Sequence, residues 1–137
     1  GGHTVLLRSD GTAVACGDSS NEQCDVPALD GEARYSQVTA GYAHTVLLRS
    51  DGTAVACGDS SNEQCDVPAL DGEARYSQVT AGYAHTVLLR SDGTAVTCGS
   101  NGQRQCDLPA LDGDAKYSQV AAGGFHTVLR RERGGAV

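Results

Sequence analysis

The chain has 137 residues, a formal net charge of −7, no Trp, no Met and one Phe. One domain of ordinary length is implied, and an acidic surface repels phosphate backbones, which argues against nucleic acid as a partner. No run approaches the ~18 apolar residues of a membrane span, nothing resembles a signal peptide, and the lack of Met points to a processed chain or a fragment.

A repeat governs everything else. His3, His44, His85 and His126 are each 41 residues apart, and Pro27, Pro68 and Pro109 keep the same interval. Residues 3–43 and 44–84 are identical, 85–125 form a third copy with scattered changes, and 126–137 open a fourth. The whole chain, 1–137, reads as one repeat domain.

Within a copy, His3 to Arg8 is rich in β-formers and apolar on both alternating faces, as in a strand buried on both sides. Asp10-Gly11 then signals a hairpin, because Gly accepts positive φ, and Asp51-Gly52 and Asp92-Gly93 repeat it. The return strand, Thr12 to Cys16, puts Val14 and Cys16 on one face and small Ala13 and Ala15 on the other, which lets a neighbouring sheet come close. Gly17 to Asp25 is polar and turn-rich. Val26-Pro27 marks an extended exit. Tyr35 to Ala40 reads as a third strand ending at Gly41. No segment carries a convincing 3.6-residue apolar period. A small antiparallel sheet of this kind must stack on its copies to bury its faces, so an all-β propeller built of 41-residue blades is expected. Val5, Leu7, Val14 and their equivalents, including Val46 and Leu48, are expected between adjacent sheets.

The run from Gly41 to Gly52, Gly-x-x-His-Thr followed by an apolar strand and Asp-Gly, resembles the signature of the regulator-of-chromosome-condensation repeat family. Val-x-Cys-Gly resembles that family's Val-x-Trp-Gly. Gln23 to Pro27 resembles the Gly-Gln-x-x-Val-Pro of its short-repeat branch, which includes propellers of the β-lactamase-inhibitory and tubulin-suppressor-like kinds. The resemblance implies a propeller, usually of seven blades, that serves as a protein-binding platform. Three departures stand out. Cys16, Cys57 and Cys98 replace the blade Trp. Glu22, Glu63 and Arg104 replace the Gly before Gln, so that turn must differ or be strained. Three and a third copies do not close a ring of about seven blades. The chain is therefore expected to be an arc of a propeller, completed by a longer polypeptide or by a second copy.

The six cysteines form three Cys-x₇-Cys pairs: Cys16/Cys24, Cys57/Cys65 and Cys98/Cys106. They are candidate intrablade disulfides or free core thiols, and spacing does not decide between them. Zinc is the weakest reading, because paired thiolates usually come as Cys-x₂₋₄-Cys. The four histidines are read as structural hydrogen-bonding residues at the start of an inner strand, with Gly11, Gly52 and Gly93 as structural turn residues. Asp18, Asp25, Asp30 and Glu32 read as a solvated rim, since no calcium-loop pattern is present.

The expected function is that of a non-catalytic interaction module that presents repeat loops to a protein partner, with no cofactor. The alternative is a substrate-binding or regulatory propeller segment of a larger ubiquitin ligase or small-GTPase exchange factor. Nucleotide exchange, as the founding family member performs it, implies an inserted wedge in one blade, and the uniform period leaves no room for one. Light sensing, as in the plant photoreceptor of this family, uses clustered Trp, which the chain lacks.

Overall fold

A computed structural model describes residues 2–133 of the chain. The described residues contain ten strands and no helix. The strands are β1 (His3–Leu7), β2 (Ala13–Gly17), β3 (Tyr35–Ala40), β4 (His44–Arg49), β5 (Ala54–Gly58), β6 (Tyr76–Ala81), β7 (His85–Arg90), β8 (Ala95–Gly99), β9 (Ala115–Ala122) and β10 (Thr127–Arg133). They form two three-stranded antiparallel sheets, β3-β4-β5 and β6-β7-β8, flanked by the pairs β1-β2 and β9-β10.

Sheets and copies are out of phase. Tyr35–Ala40 belongs to the first copy by sequence but pairs with β4, the first strand of the second copy. The link is short: the Gly41 N–H bonds to the His44 carbonyl at 2.8 Å and turns the chain straight back. A tandem repeat has no intrinsic starting point, so counting from histidine to histidine cuts each sheet between its first and second strands.

The Asp-Gly signal becomes a hairpin with a three-residue loop. The Arg49 N–H bonds to the Thr53 carbonyl, and the Gly52 N–H returns to the Arg49 carbonyl. Gly52 sits at φ 87°, with Gly11 and Gly93 at 84° and 88°. This is the left-handed position that a three-residue hairpin requires. Asp51 fixes the turn by accepting both the N–H and the hydroxyl of Thr53, at 2.9 and 2.6 Å.

The sheets fan out from a common line. β3, β6 and β9 pack on one another across sheets, whereas β5 and β8 lie outermost. The histidine strand is therefore the central strand of its sheet and not the inner one. Side chains seal the narrow end of the fan. Gln37 Nε2 donates to the Ser77 carbonyl at 3.0 Å, and Gln78 repeats this to Ser118 at 3.2 Å.

The core lies between sheets, where Val46 and Leu48 of β4 meet Tyr76, Val79 and Ala81 of β6 and Leu88 of β7. Leu47 and Leu88 are also fully buried, so β4 and β7 are covered on both faces. Val46, Leu48, Val87 and Leu89 are buried as expected, whereas Leu7 in the first copy is 40% exposed. Val55 and Val96, the equivalents of Val14, are only half-buried because their strands lie at the wide end of the fan. Ala54 and Ala56 pack against the core, and their small size permits the close approach. Arg130 takes the place of Leu7 and pairs with Glu132 at 3.2 Å. Residues 134–137 lie outside the described residues.

Candidate interaction surface

The fan has two rims. The hairpin rim carries the Asp-Gly turns. The opposite rim carries the turns into the histidine strands together with the polar loops after β2, β5 and β8. Pairing of His44 with Gly58 places those two groups of segments side by side.

His3, His44 and His85 each tie one sheet to the next at this second rim, whereas His126 is exposed. His44 Nε2 lies 3.0 Å from Thr86 Oγ1, and His3 and His85 make the same bond to Thr45 and Thr127. Each of these threonines also donates to a main-chain carbonyl: Thr45 to Gln23, Thr86 to Gln64 and Thr127 to Gln105, all at 2.7 Å. A carbonyl only accepts, so the threonine proton is committed and the imidazole must be the donor. This assigns the Nε2–H tautomer. The Nδ1 atoms of His3, His44 and His85 are buried with no partner. Burial holds the His44 imidazole down at about 4, so it is neutral near pH 7. Glycine makes room for the ring: a Cβ on Gly41 would stand 2.2 Å from His44 Cε1.

The turn before the buried glutamine retains its left-handed form without glycine. Glu22, Glu63 and Arg104 have φ of 63°, 65° and 60°. Hydrogen bonds hold them there. Gln64 Oε1 accepts the Asn62 N–H at 2.9 Å, the Glu63 N–H reaches the Ser60 carbonyl, and the Glu63 carbonyl accepts from Asp66. A non-glycine residue in this region costs ~1 kcal/mol or more. The strained side chain is thereby presented on the rim.

Next to these turns stands a ladder of exposed rings. Tyr42 and Tyr83 stack with centroids 4.2 Å apart, and Phe125 stacks on Tyr83 at 5.4 Å. They are 49%, 43% and 56% exposed. A groove of about 290 Å³ runs beside Tyr42 and Tyr83 across three sheets, floored by Gly41, Gly82, Gly123 and Gly124. The Tyr83 N–H to Gly124 carbonyl bond, 3.0 Å, ties two of the loops together. Repeat spacing alone does not assemble this ladder. Its signal was present in part, since Tyr42 and Tyr83 share one repeat position, but Phe125 stands one position later, at the site of Ala43 and Ala84.

The cysteines line the outer part of the fan, and all six are unbridged in this structure. Cys57 Sγ and Cys98 Sγ point at the Gln23 and Gln64 carbonyls at 3.5 Å, while Cys24, Cys65 and Cys106 bond within their own loops to Asp18, Asp59 and Ser100. Burial pushes Cys57 and Cys65 up to about 11 and Cys98 to about 12, so these thiols stay protonated near neutral pH. Asp18 and Asp59 on the ladder rim accept the Ser20 and Ser61 N–H groups, and Asp30 and Glu32 belong to the connection that leads back to the hairpin rim. Among the described residues, no three His, Cys, Asp or Glu side chains are grouped to hold a metal ion.

A family model for the regulator of chromosome condensation (RCC1) repeat matches residues 35–64 and 76–105. Both matches begin at the first residue of a three-stranded sheet, so the model's unit follows the sheet and not the histidine count. No curated protein matches the chain in sequence. Among solved structures, Prp20p of Saccharomyces cerevisiae, described with its binding to Gsp1p and histones, is similar at a TM-score of 0.80 and 19% identity, over 93% of this chain and 41% of that one. Human WBSCR16 is similar at 0.76 and 22% identity, over 90% and 42%. The ectodomain of the receptor kinase CR4 of Physcomitrella patens is similar at 0.71 and 18% identity, over 98% and 37%. The chain thus spans about two fifths of the length of these structures. Residue signature, sheet architecture and repeat match agree: residues 35–64 and 76–105 are regulator of chromosome condensation repeats, and the chain has the fold of part of an RCC1-like β-propeller.

Proposed function

We propose that this chain is a non-catalytic protein-binding module and that the rim bearing Tyr42, Tyr83 and Phe125 is its docking surface. The observation that carries this reading is the ladder itself, three large rings stacked in the open. Exposed aromatic side chains at the centre of a patch are the usual anchors of protein interfaces, because they bury much area while losing little rotamer freedom. The sheets beneath supply a rigid base, since the histidine-threonine-carbonyl bridges fix the loops relative to one another. The protein partners named for Prp20p fit such a role for a propeller of this family.

Photo-crosslinking from the two rims tests the reading. A benzophenone side chain at Tyr42 is expected to capture a protein saturably, and Tyr83→Ala is expected to abolish the capture. The same group at Ser50, on the hairpin rim, should capture nothing specific. Equal capture from both rims would sink the reading.

A further inference from the structure

We infer that the partner element received by the aromatic rim is an extended, lysine- and arginine-rich segment of a protein, held along the ring ladder with its charged heads on the flanking carboxylates. This rests on the reading of that rim as a protein-docking surface and adds the chemistry of the occupant.

The first argument is the distribution of charge. Of the ten Lys and Arg residues, only Arg104 stands on the ladder rim, and it is already paired with Asp107 at 3.0 Å. The others cluster at or beside the hairpin turns, as Arg49 and Lys116 show: the Arg49 N–H closes a hairpin, and Lys116 Nζ bonds to the Asp92 carbonyl. The ladder rim carries Asp18, Glu22 and Asp25, their copies Asp59, Glu63 and Asp66, and Asp107. Six of the seven net negative charges therefore sit on one rim, while the hairpin rim is close to neutral. A field so one-sided attracts cations to the ladder rim over the hairpin rim.

The second argument is the arrangement at short range. The Asp59 N–H bonds to the carbonyl of Ala43, the residue after Tyr42, at 2.9 Å, so the carboxylate stands beside the ladder. The Ser61 N–H bonds to that carboxylate and holds it below the usual carboxylate range, and it is ionised at any physiological pH. Glu22 and Glu63 are exposed at the strained turns that follow. An apolar strip bordered by carboxylates matches a side chain with an aliphatic stem and a cationic head, which lays its stem on the rings and sends its charge to the edge. The glycine-floored groove admits a main chain close to the rings and crosses three sheets, which suits an extended segment better than a compact one.

The test titrates the intact chain with three labelled dodecapeptides: a Lys-Ala-Arg-Leu repeat, its Glu counterpart and its Ser counterpart. The basic peptide is expected to bind at least tenfold more tightly than the other two, and its affinity should fall on the order of tenfold between about 50 and about 200 mM salt. Glu22→Lys with Glu63→Lys should weaken it by on the order of tenfold. A cation is tolerated at this turn, since Arg104 occupies it in the third copy. The matched pair Glu32→Lys with Glu73→Lys, towards the hairpin rim, makes the same change in net charge and should alter affinity less than about twofold. Tyr83→Ser should weaken binding, with circular dichroism confirming the sheet content. Equal loss from the two charge-reversed pairs would mean bulk attraction only and overturns the inference. Failure of all three peptides to bind overturns it as well. If the Ser peptide binds as well as the basic one and only Tyr83→Ser matters, the cationic partner is wrong while the docking rim stands. The docking rim itself falls if crosslinking from Tyr42 also fails or is equalled by crosslinking from Ser50.

Discussion

Residues 3–43 and 44–84 have the same sequence but different surroundings. Leu47 is fully buried, whereas its copy Leu6 is 53% exposed; His44 is fully buried, and His3 is only partly covered. The second copy is flanked by sheets on both sides, and the first is covered by described sheet on one side alone. The local fold is the same in both, since the hairpin register of β1-β2 repeats that of β4-β5. Sequence here determines strand, turn and register, while burial is conferred by neighbours, as expected where each unit contacts only the next.

The largest effect that sharpens this contrast is in the core. Leu47→Ala is expected to cost about 3 to 4 kcal/mol and Leu6→Ala less than about 1 kcal/mol, measured as denaturant midpoints of the two variants. Equal losses would show that neighbours do not set the burial. Acid comes next. The folded-state value of His44, about 4, lies below the ordinary value of 6.5, so the stability it guards is complete above about pH 6.5 and is lost as pH falls through about 4. The difference amounts to about 3 kcal/mol, and His44→Gln should flatten that part of the stability-against-pH curve.

A smaller effect is expected at the bridges. Thr45→Val strands the His3 N–H and removes one donor from the Gln23 carbonyl, at about 2 kcal/mol, whereas Thr4→Val at the exposed copy should be close to neutral by thermal melting. The smallest effect has the opposite sign and should not differ between copies. Glu22→Gly and Glu63→Gly each relieve a left-handed non-glycine residue and should stabilise by about 1 kcal/mol or less, because the looser unfolded chain offsets part of the gain. Unequal gains would mean that the two turns differ in strain despite identical sequence.

Strands and hairpins were legible because their signals are local. Asp51-Gly52 between apolar runs needs nothing beyond its own turn chemistry, and the missing glycine at Glu63 pointed to the strain found there. Sheet membership was not legible. Tyr35–Ala40 joins β4 only through the tight turn at Gly41, and in a periodic sequence every choice of boundary looks equivalent. The ladder was not legible either, because it depends on how closely the narrow ends of three sheets approach and on Phe125 standing one position off the tyrosine register. The Cys57 and Cys65 spacing left bridge and free thiol both open, since the seven polar-rich residues between them fix no distance between the sulfurs.

The displacement between sheet and copy has a consequence for how such a chain changes length. Because 3–43 and 44–84 are identical, removing any 41 consecutive residues between positions 3 and 84 yields one and the same product. A break at the histidine, inside a hairpin or in the middle of a strand is healed equally well, because the resumed sequence supplies the partner strand that the break took away. Expansion or contraction by unequal exchange between the copies therefore proceeds in whole sheets, and no breakpoint within this stretch leaves a half-built one.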